Sequence, residues 1–216
     1  LQKQLAELQP GVQRAAFEAQ AQIDRQAVER APDDWLLHDQ FAKFREAFGD
    51  VPGAVAEWRK VIELVPHHLL ARYQLGVALN RDETAGEAEE YLREAIRLRP
   101  NFPEAINELG LALTRQRKFT AAHEQFARAM ALRPDFAGAQ ANWGLALIEE
   151  GKLAEAQARF EAALALNTNS LSAHLNLAKL LVQQGQAQQA APHFREILRL
   201  DPRNRTALKF FEEAQP

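Results

Sequence analysis

The sequence contains no cysteine, which excludes disulfide bonds and thiolate chemistry but does not identify a compartment. No run approaches the roughly 18 consecutive apolar residues that a membrane-spanning helix needs. Neither sign of charge dominates, because 26 basic residues stand against 29 acidic ones and the net charge is −3. A nucleic-acid-binding protein or a membrane-surface helix would show a basic face. We therefore predict no nucleic-acid partner and no direct membrane span.

Motifs of catalysis are missing as well. The sequence has no HExxH, no paired-histidine spacing, no phosphate-binding glycine loop and no GxSxG nucleophile motif. The neighbouring carboxylates Glu149 and Glu150 would point in different directions on a helix, so they do not form an acid–base pair. We expect no catalytic residue, no metal site and no cofactor, and predict that the chain is not an enzyme.

What the sequence does contain is a period of 34 residues, marked by Pro32, Pro66, Pro100, Pro134 and Pro202. The one position of this period without a proline is 168, which is occupied by threonine. Thr168 lies in a turn-forming run, so we expect the junction between the repeats to be intact there. A fixed period of this length indicates one supersecondary unit that is stacked repeatedly. With the proline at position 32 of each repeat, five full repeats occupy 35–68, 69–102, 103–136, 137–170 and 171–204.

Each repeat predicts two amphipathic helices, because apolar residues follow helical spacing at positions 3, 7, 8 and 11 and again at 17, 20, 24, 27 and 30. Position 20 is always alanine and position 8 is always alanine or glycine, which lets two backbones approach closely. Large residues at positions 7 and 24 fill the adjacent space. The proline stops the second helix, and polar residues after it are expected to cap the next one. The capping candidates are Asp33, Asn101, Asp135 and Asn169.

This pattern of small, large and proline positions resembles the tetratricopeptide repeat family. The clearest stretches are 139–144 (AQANWG) and 173–178 (AHLNLA), and the resemblance covers 35–204. It implies an all-α, right-handed superhelical solenoid of antiparallel helix pairs with five full repeats and atypical ends. The sequence departs from the family at position 4, where tryptophan is frequent in the family and here stand His38, Arg72, Ile106, Gln140 and His174.

The two ends fit the period poorly. Residues 1–34 carry Gln20 and Asp24 in apolar slots, and Pro10 breaks the segment ahead of a helix expected over about 12–31. We interpret 1–34 as a degenerate N-terminal capping repeat or a linker. Residues 205–216 predict a C-terminal capping helix in which Phe211 docks on the last repeat and Phe210 has no obvious partner.

The resemblance implies that the first helices line a concave groove, with positions such as 5, 6, 9 and 13 facing it. Amides there offer donors and acceptors to a peptide backbone, and a central apolar stripe can accept apolar side chains. The alternative is that Val77, Leu111 and Leu145 only pack neighbouring first helices together. The candidate groove residues are Gln40, Lys43, Tyr73, Gln74, Val77, Arg81, Asn107, Glu108, Leu111, Arg115, Asn142, Leu145, Asn176 and Lys179.

The predicted function is a non-catalytic scaffold that binds a peptide or partner protein in this groove. One alternative is the accessory repeat region of a longer enzyme or of a secretion or assembly protein, and another is self-association of the solenoid end to end. The family's co-chaperones hold a C-terminal carboxylate with a set of cations that no three consecutive repeats supply here. We therefore predict no binding of heat-shock chaperone tails, and the sequence does not name the partner.

Overall fold

The computed structural model describes the backbone of residues 10–81 and 85–213 and the side chains of 15–81 and 85–212. Over these ranges the secondary structure is α-helical and no strand occurs. The chain divides into two compact units, Leu1–Pro100 and Asn101–Pro216. The predicted all-α fold class, a helical solenoid of paired helices, is confirmed.

The N-terminal unit begins with a long helix that packs on the first helix pair. Phe17 of this long helix stacks on Phe44 with ring centroids 5.1 Å apart, and it contacts Phe48 in a tilted arrangement with centroids 4.9 Å apart. The helix starts at Pro10 and is not interrupted there, because proline is tolerated in the first turn of a helix. The helices of the unit are α1 (Pro10–Arg30), α2 (Trp35–Ala47), α3 (Val51–Leu64), α4 (Leu69–Arg81) and α5 (Ala85–Leu98).

The C-terminal unit contains three further pairs and one closing helix. The expectation that Phe210 lacks a partner is wrong, because the closing helix packs on its neighbour and stacks Phe210 on Phe194 with centroids 4.2 Å apart. Phe211 lies against the same apolar cluster. The helices are α6 (Pro103–Arg115), α7 (Phe119–Leu132), α8 (Ala137–Glu150), α9 (Leu153–Leu166), α10 (Leu171–Gln183), α11 (Ala187–Leu200) and α12 (Arg205–Glu213).

The two helices of a pair meet at the small residues that the sequence repeats. Every alanine at position 20 is fully buried: Ala54, Ala88, Ala122, Ala156 and Ala190. Gly110 faces the ring of Phe126 so closely that a Cβ on it would lie 2.6 Å from Cε1. Gly144 faces Phe160 in the same way. The residue at position 24 therefore fills the space that the small residue at position 8 leaves open.

In the repeats whose inter-helix turn the structure describes, that turn contains one residue in the left-handed backbone conformation. Gly151 adopts φ 88° there, which glycine tolerates at no steric cost. In the repeat before it the same place is taken by Arg117, whose φ is 58°. An arginine in this conformation carries a backbone strain that glycine would not.

The predicted caps Asn101 and Asp135 do not cap their helices, because the N-cap residue is Phe102 or Phe136, whose side chain forms no cap bond. Where a side chain does cap, it lies one position later than the sequence suggests. The first helices begin directly after position 34, so the residue that caps them is not Asp33 or Asn169 but its successor. Asp34 accepts a hydrogen bond from the backbone N–H of Leu36 at 3.0 Å, and Ser170 accepts one from Ala173 at 3.3 Å.

A polar side chain at position 4 joins each of three first helices to the junction before it. His38, Arg72 and His174 each place a ring or guanidinium nitrogen against a backbone carbonyl six residues earlier. For His174 the distance from Nε2 to the carbonyl oxygen of Thr168 is 2.9 Å. Because this contact uses a carbonyl, it persists at Thr168 where the repeated proline is missing.

Candidate functional site

The charged groove candidates of the N-terminal unit are held by ion pairs within the chain. Nζ of Lys43 on α2 lies 2.5 Å from Oδ2 of Asp39, which is buried. Nη1 of Arg81 on α4 lies 2.8 Å from Oε1 of Glu46 on α2. Both cations remain about half exposed, so they keep contact with solvent, and the pair of Arg81 and Glu46 also joins α4 to α2.

The uncharged candidates of the same unit differ in exposure. Gln40 on α2 is exposed, whereas Tyr73, Gln74 and Val77 on α4 are half-buried. Half-buried side chains both support the neighbouring helix and present part of their surface. The N-terminal unit thus offers a mixed surface in which polar groups predominate.

In the C-terminal unit two amides bond to each other instead of facing solvent together. Nδ2 of Asn142 on α8 donates to Oδ1 of Asn107 on α6 at 3.1 Å. Asn107 is only 4% exposed, and its own amide nitrogen lies 3.4 Å from Oε1 of Glu108. Asn107 therefore orients Asn142 and has almost no surface to offer a ligand.

The remaining candidates of this unit keep part of their surface accessible. Leu111, Leu145 and Asn176 are half-buried, and Arg115 is exposed. Leu145 also packs against the apolar cluster of the unit, so it serves the core as well as the surface. The alternative role of these leucines as packing residues is thus partly realised for Leu145.

The candidate Lys179 lies at the mouth of a cavity of about 290 Å³ between α10, α11 and α12. The floor is formed by the stacked rings of Phe194 and Phe210. The full lining is Lys179, Val182, Gln183, Phe194, Thr206, Lys209 and Phe210. We call this space the α10–α12 cavity.

Most of the residues that line the α10–α12 cavity are absent from the groove candidates predicted from sequence. Val182 and Gln183 occupy positions 12 and 13 of the last repeat, and Thr206 and Lys209 occupy positions 2 and 5 of the helix that follows. The groove positions of the last repeat, extended to positions 2 and 12 and to the terminal helix, would have found these four. Phe210 is at position 6 of the same helix, which is a groove position, so the same extension would have found it as well.

Three other features of the described residues bear on function. A second cavity, of about 300 Å³, lies in the N-terminal unit, and its lining combines Phe17 and Ala21 with charged residues such as Glu18, Arg25 and Arg45. In the described ranges, no three His, Asp or Glu side chains are grouped closely enough to hold a metal ion. No helix in these ranges has both the length and the apolar character needed to cross a membrane.

Solved structures of several repeat proteins have the same fold. YrrB, described as a TPR protein with an unusual peptide-binding site, is 22% identical with a TM-score of 0.55, covering 89% of this chain and 99% of YrrB. TTC0263 of Thermus thermophilus, a thermophilic TPR protein, is 18% identical to this chain. The TM-score is 0.73, and the match covers 83% of this chain and 98% of TTC0263. MamA 41-end of Desulfovibrio magneticus RS-1 is 20% identical to this chain. The TM-score is 0.62, and the match covers 79% of this chain and 97% of the MamA structure.

Sequence comparison assigns the chain to a family. No curated protein sequence shows significant similarity to it. Two family models, both described as tetratricopeptide repeat, do match: one matches residues 42–103 and 107–156, and the other matches 147–209. The first alone spans more than half of the chain, and the helix pairs agree with it. The chain therefore belongs to the tetratricopeptide repeat family.

Proposed function

We propose that this protein is a non-catalytic scaffold that binds a peptide, or an extended segment of a partner protein, along the first helices of its repeats. Tetratricopeptide repeats are protein-interaction modules and are generally non-catalytic, so an interaction scaffold follows from family membership. The finer proposal, a peptide on this particular face, rests on the surface of the C-terminal unit. Its strongest support is the half-buried mixture of amide and apolar side chains on α6, α8 and α10.

The chemistry of this face suits a backbone as well as side chains. The amide of Asn176 and the second N–H and the carbonyl oxygen of the Asn142 amide can pair with the backbone of an extended peptide whatever its sequence. The half-buried Leu111 and Leu145 supply apolar surface, where burying a large side chain of the partner is favourable by about 1.5–3 kcal/mol. Asn107 is a positioning residue, because its carbonyl oxygen holds the amide of Asn142.

The likeness to YrrB supports the class of ligand and not its identity. YrrB is a TPR protein with an unusual peptide-binding site, and the two chains share the fold over 89% of this chain. The same proposal includes the groove candidates of the N-terminal unit. Its two cations would bind the peptide through ammonium and guanidinium groups that are partly exposed and ion-paired within the chain. The candidates are Gln40, Lys43, Tyr73, Gln74, Val77 and Arg81.

The test replaces Leu111 and Leu145 together by lysine in the full chain. Partners captured by the parent protein are identified by mass spectrometry and compared with those captured by the variant. A matched control replaces Leu132 and Leu166, exposed leucines at the ends of second helices, by lysine as well. Circular dichroism confirms that both variants remain folded.

A partner that binds the parent and the Leu132/Leu166 variant but not the Leu111/Leu145 variant would support the proposal. Capture of the same partners by all three proteins would exclude this face as the binding surface. Loss of the partners from the Leu132/Leu166 variant alone would place the interaction on the second helices and would also contradict the proposal.

A further inference from the structure

We propose that the α10–α12 cavity is an anchor site for an internal segment of a partner peptide that carries one large apolar side chain flanked by acidic residues. This deepens the proposed function, on which it rests, because it assigns a defined chemistry to one part of the peptide-binding face. The apolar side chain enters the cavity, and the carboxylates lie at the lysines of its rim.

The cavity has the size and the surface of an aromatic or large aliphatic binding site. Its volume is about 290 Å³, and a protein cavity of about 150 Å³ already accepts benzene. The floor consists of two aromatic rings in stacking contact, and Phe194 is 2% exposed, so the floor is set firmly in the core of the unit. A ring of the partner can stack on Phe210 in the offset geometry that aromatic pairs prefer.

The charge of the rim selects the flanking residues. Among the described residues that line the cavity, Lys179 and Lys209 are cationic and none is anionic, although the whole chain has a net charge of −3. Lys179 lies on α10 and Lys209 on α12, so the two ammonium groups approach the opening from different helices. Acidic residues on either side of the anchor would meet one lysine each.

The number and placement of the cations favour two side-chain carboxylates over a single terminal one. Lysine is a point charge on a flexible stem, and the two lysines lie on different helices, so each can meet a carboxylate of its own. Gln183 and Thr206 complete the rim with an amide and a hydroxyl, which can bond the peptide backbone as it passes on both sides of the anchor.

Binding of fluorescein-labelled peptides to the full chain, followed by fluorescence anisotropy, tests the proposal. The probe has one phenylalanine between two glutamates in a Gly/Ser background. Comparison peptides replace the phenylalanine by alanine, replace the glutamates by lysines, or end on the phenylalanine with a free carboxylate. We expect each of the first two replacements to weaken binding about tenfold or more, and the glutamate-flanked probe to bind more tightly than the terminal one.

The variants are Lys179→Glu and Lys209→Glu, singly and together, with Lys118→Glu as the matched control. Lys118 is an exposed lysine of the same unit that does not line the cavity. The double variant should bind the glutamate-flanked probe about tenfold or more weakly than the parent protein does, and it should bind the lysine-flanked probe more tightly than the glutamate-flanked one. Lys118→Glu should behave like the parent protein.

Four outcomes would overturn the proposal. They are undiminished binding of the alanine peptide, undiminished binding of the glutamate-flanked probe by the double variant, a stronger preference for the terminal carboxylate, and no binding of the probe at all. The Leu111/Leu145 variant separates this proposal from the wider one, because those leucines do not line the cavity. If that variant loses its protein partners while the parent protein binds none of the peptide probes, the proposed peptide-binding face is supported and only the proposed anchor site is refuted.

Discussion

Nδ1 of His174 lies 3.0 Å from Nδ1 of His193, so two imidazole rings join α10 to α11. Nε2 of His174 faces the carbonyl oxygen of Thr168 at 2.9 Å and must carry a hydrogen, because a carbonyl can only accept. In the neutral pair, Nδ1 of His174 then accepts the hydrogen bond that Nδ1–H of His193 donates. Two protonated rings would place positive charges against each other.

Acidification should therefore weaken the fold at this pair. Burial lowers the pKa of His193 below its usual value, the charge of His174 lowers it further, and Glu161 raises it in part. Because the folded pKa is below the unfolded one, the unfolded chain binds more protons in mild acid. The stabilisation is complete above the unfolded pKa of about 6.5 and is lost as the pH falls through the folded pKa.

The expected result is a larger fall in melting temperature for the parent than for His193→Gln between about pH 7.5 and about pH 5.5. His67→Gln, at an exposed histidine of a junction in the other unit, should follow the parent. Parallel curves for the parent and His193→Gln would show that the histidine pair does not link folding to pH.

The close approach of Gly110 to Phe126 predicts that a single methyl group destabilises the pair α6–α7. A Cβ at Gly110 would lie 2.6 Å from Cε1 of Phe126, so Gly110→Ala must displace a fully buried ring. We expect a loss of about 1–3 kcal/mol in the free energy of unfolding, measured in urea. Gly86→Ala is the control, because a Cβ at Gly86 meets nothing within 4 Å and should be neutral or stabilising. Equal stability of the two variants would contradict this packing.

The left-handed backbone of Arg117 predicts an unusual order of stability among its variants. Arg117→Gly and Arg117→Ala both remove the guanidinium from above the Phe119 ring, but only glycine also relieves the strained φ of 58°. The glycine variant should be more stable than the alanine variant by about 1 kcal/mol in denaturant unfolding. Gly151→Ala, at φ 88°, should lose a similar amount. An alanine variant as stable as the glycine variant would mean that this turn is not left-handed.

The backbone at Thr168 should tolerate proline, the residue that stands at the equivalent position of the other repeats. Asn167 has φ −144° and ψ 92°, nearly the values of Arg133, φ −139° and ψ 91°, which precedes Pro134. This extended conformation is the one that a residue before proline prefers. Because proline restricts the unfolded chain, Thr168→Pro should stabilise the protein by about 0.4–1 kcal/mol, as measured by thermal and urea unfolding. Thr168→Ala should show no such gain, and a destabilised proline variant would refute the equivalence of the junctions.

The helix pairs were predictable because their signal is local and repeated. Ala122 and its four equivalents recur at one position and are all fully buried, as the spacing indicated. The caps were misplaced by one residue because Asp33 and Asp34 are both good capping residues, and only the helix start distinguishes them. The exact division into five repeats with a degenerate first segment stays a prediction, and so does self-association of the ends.

The candidate site was less predictable because it depends on which side chains meet across helices. The sequence placed Asn107 and Asn142 at groove positions of successive repeats, but their mutual bond, which buries Asn107, required the distance between α6 and α8. Likewise, position 6 of the terminal helix places Phe210 on the groove side, but its stacking on Phe194 required the distance between α11 and α12.

The amino-acid pattern was sufficient for the fold class and the family, since a helical repeat is encoded by residue size and polarity at fixed spacing. Distances across helices were needed for the histidine pair, the asparagine bond and the α10–α12 cavity. Their cause is packing: the rotation and separation of neighbouring helices decide whether two side chains stack, bond or leave a space. Periodicity alone does not specify those quantities.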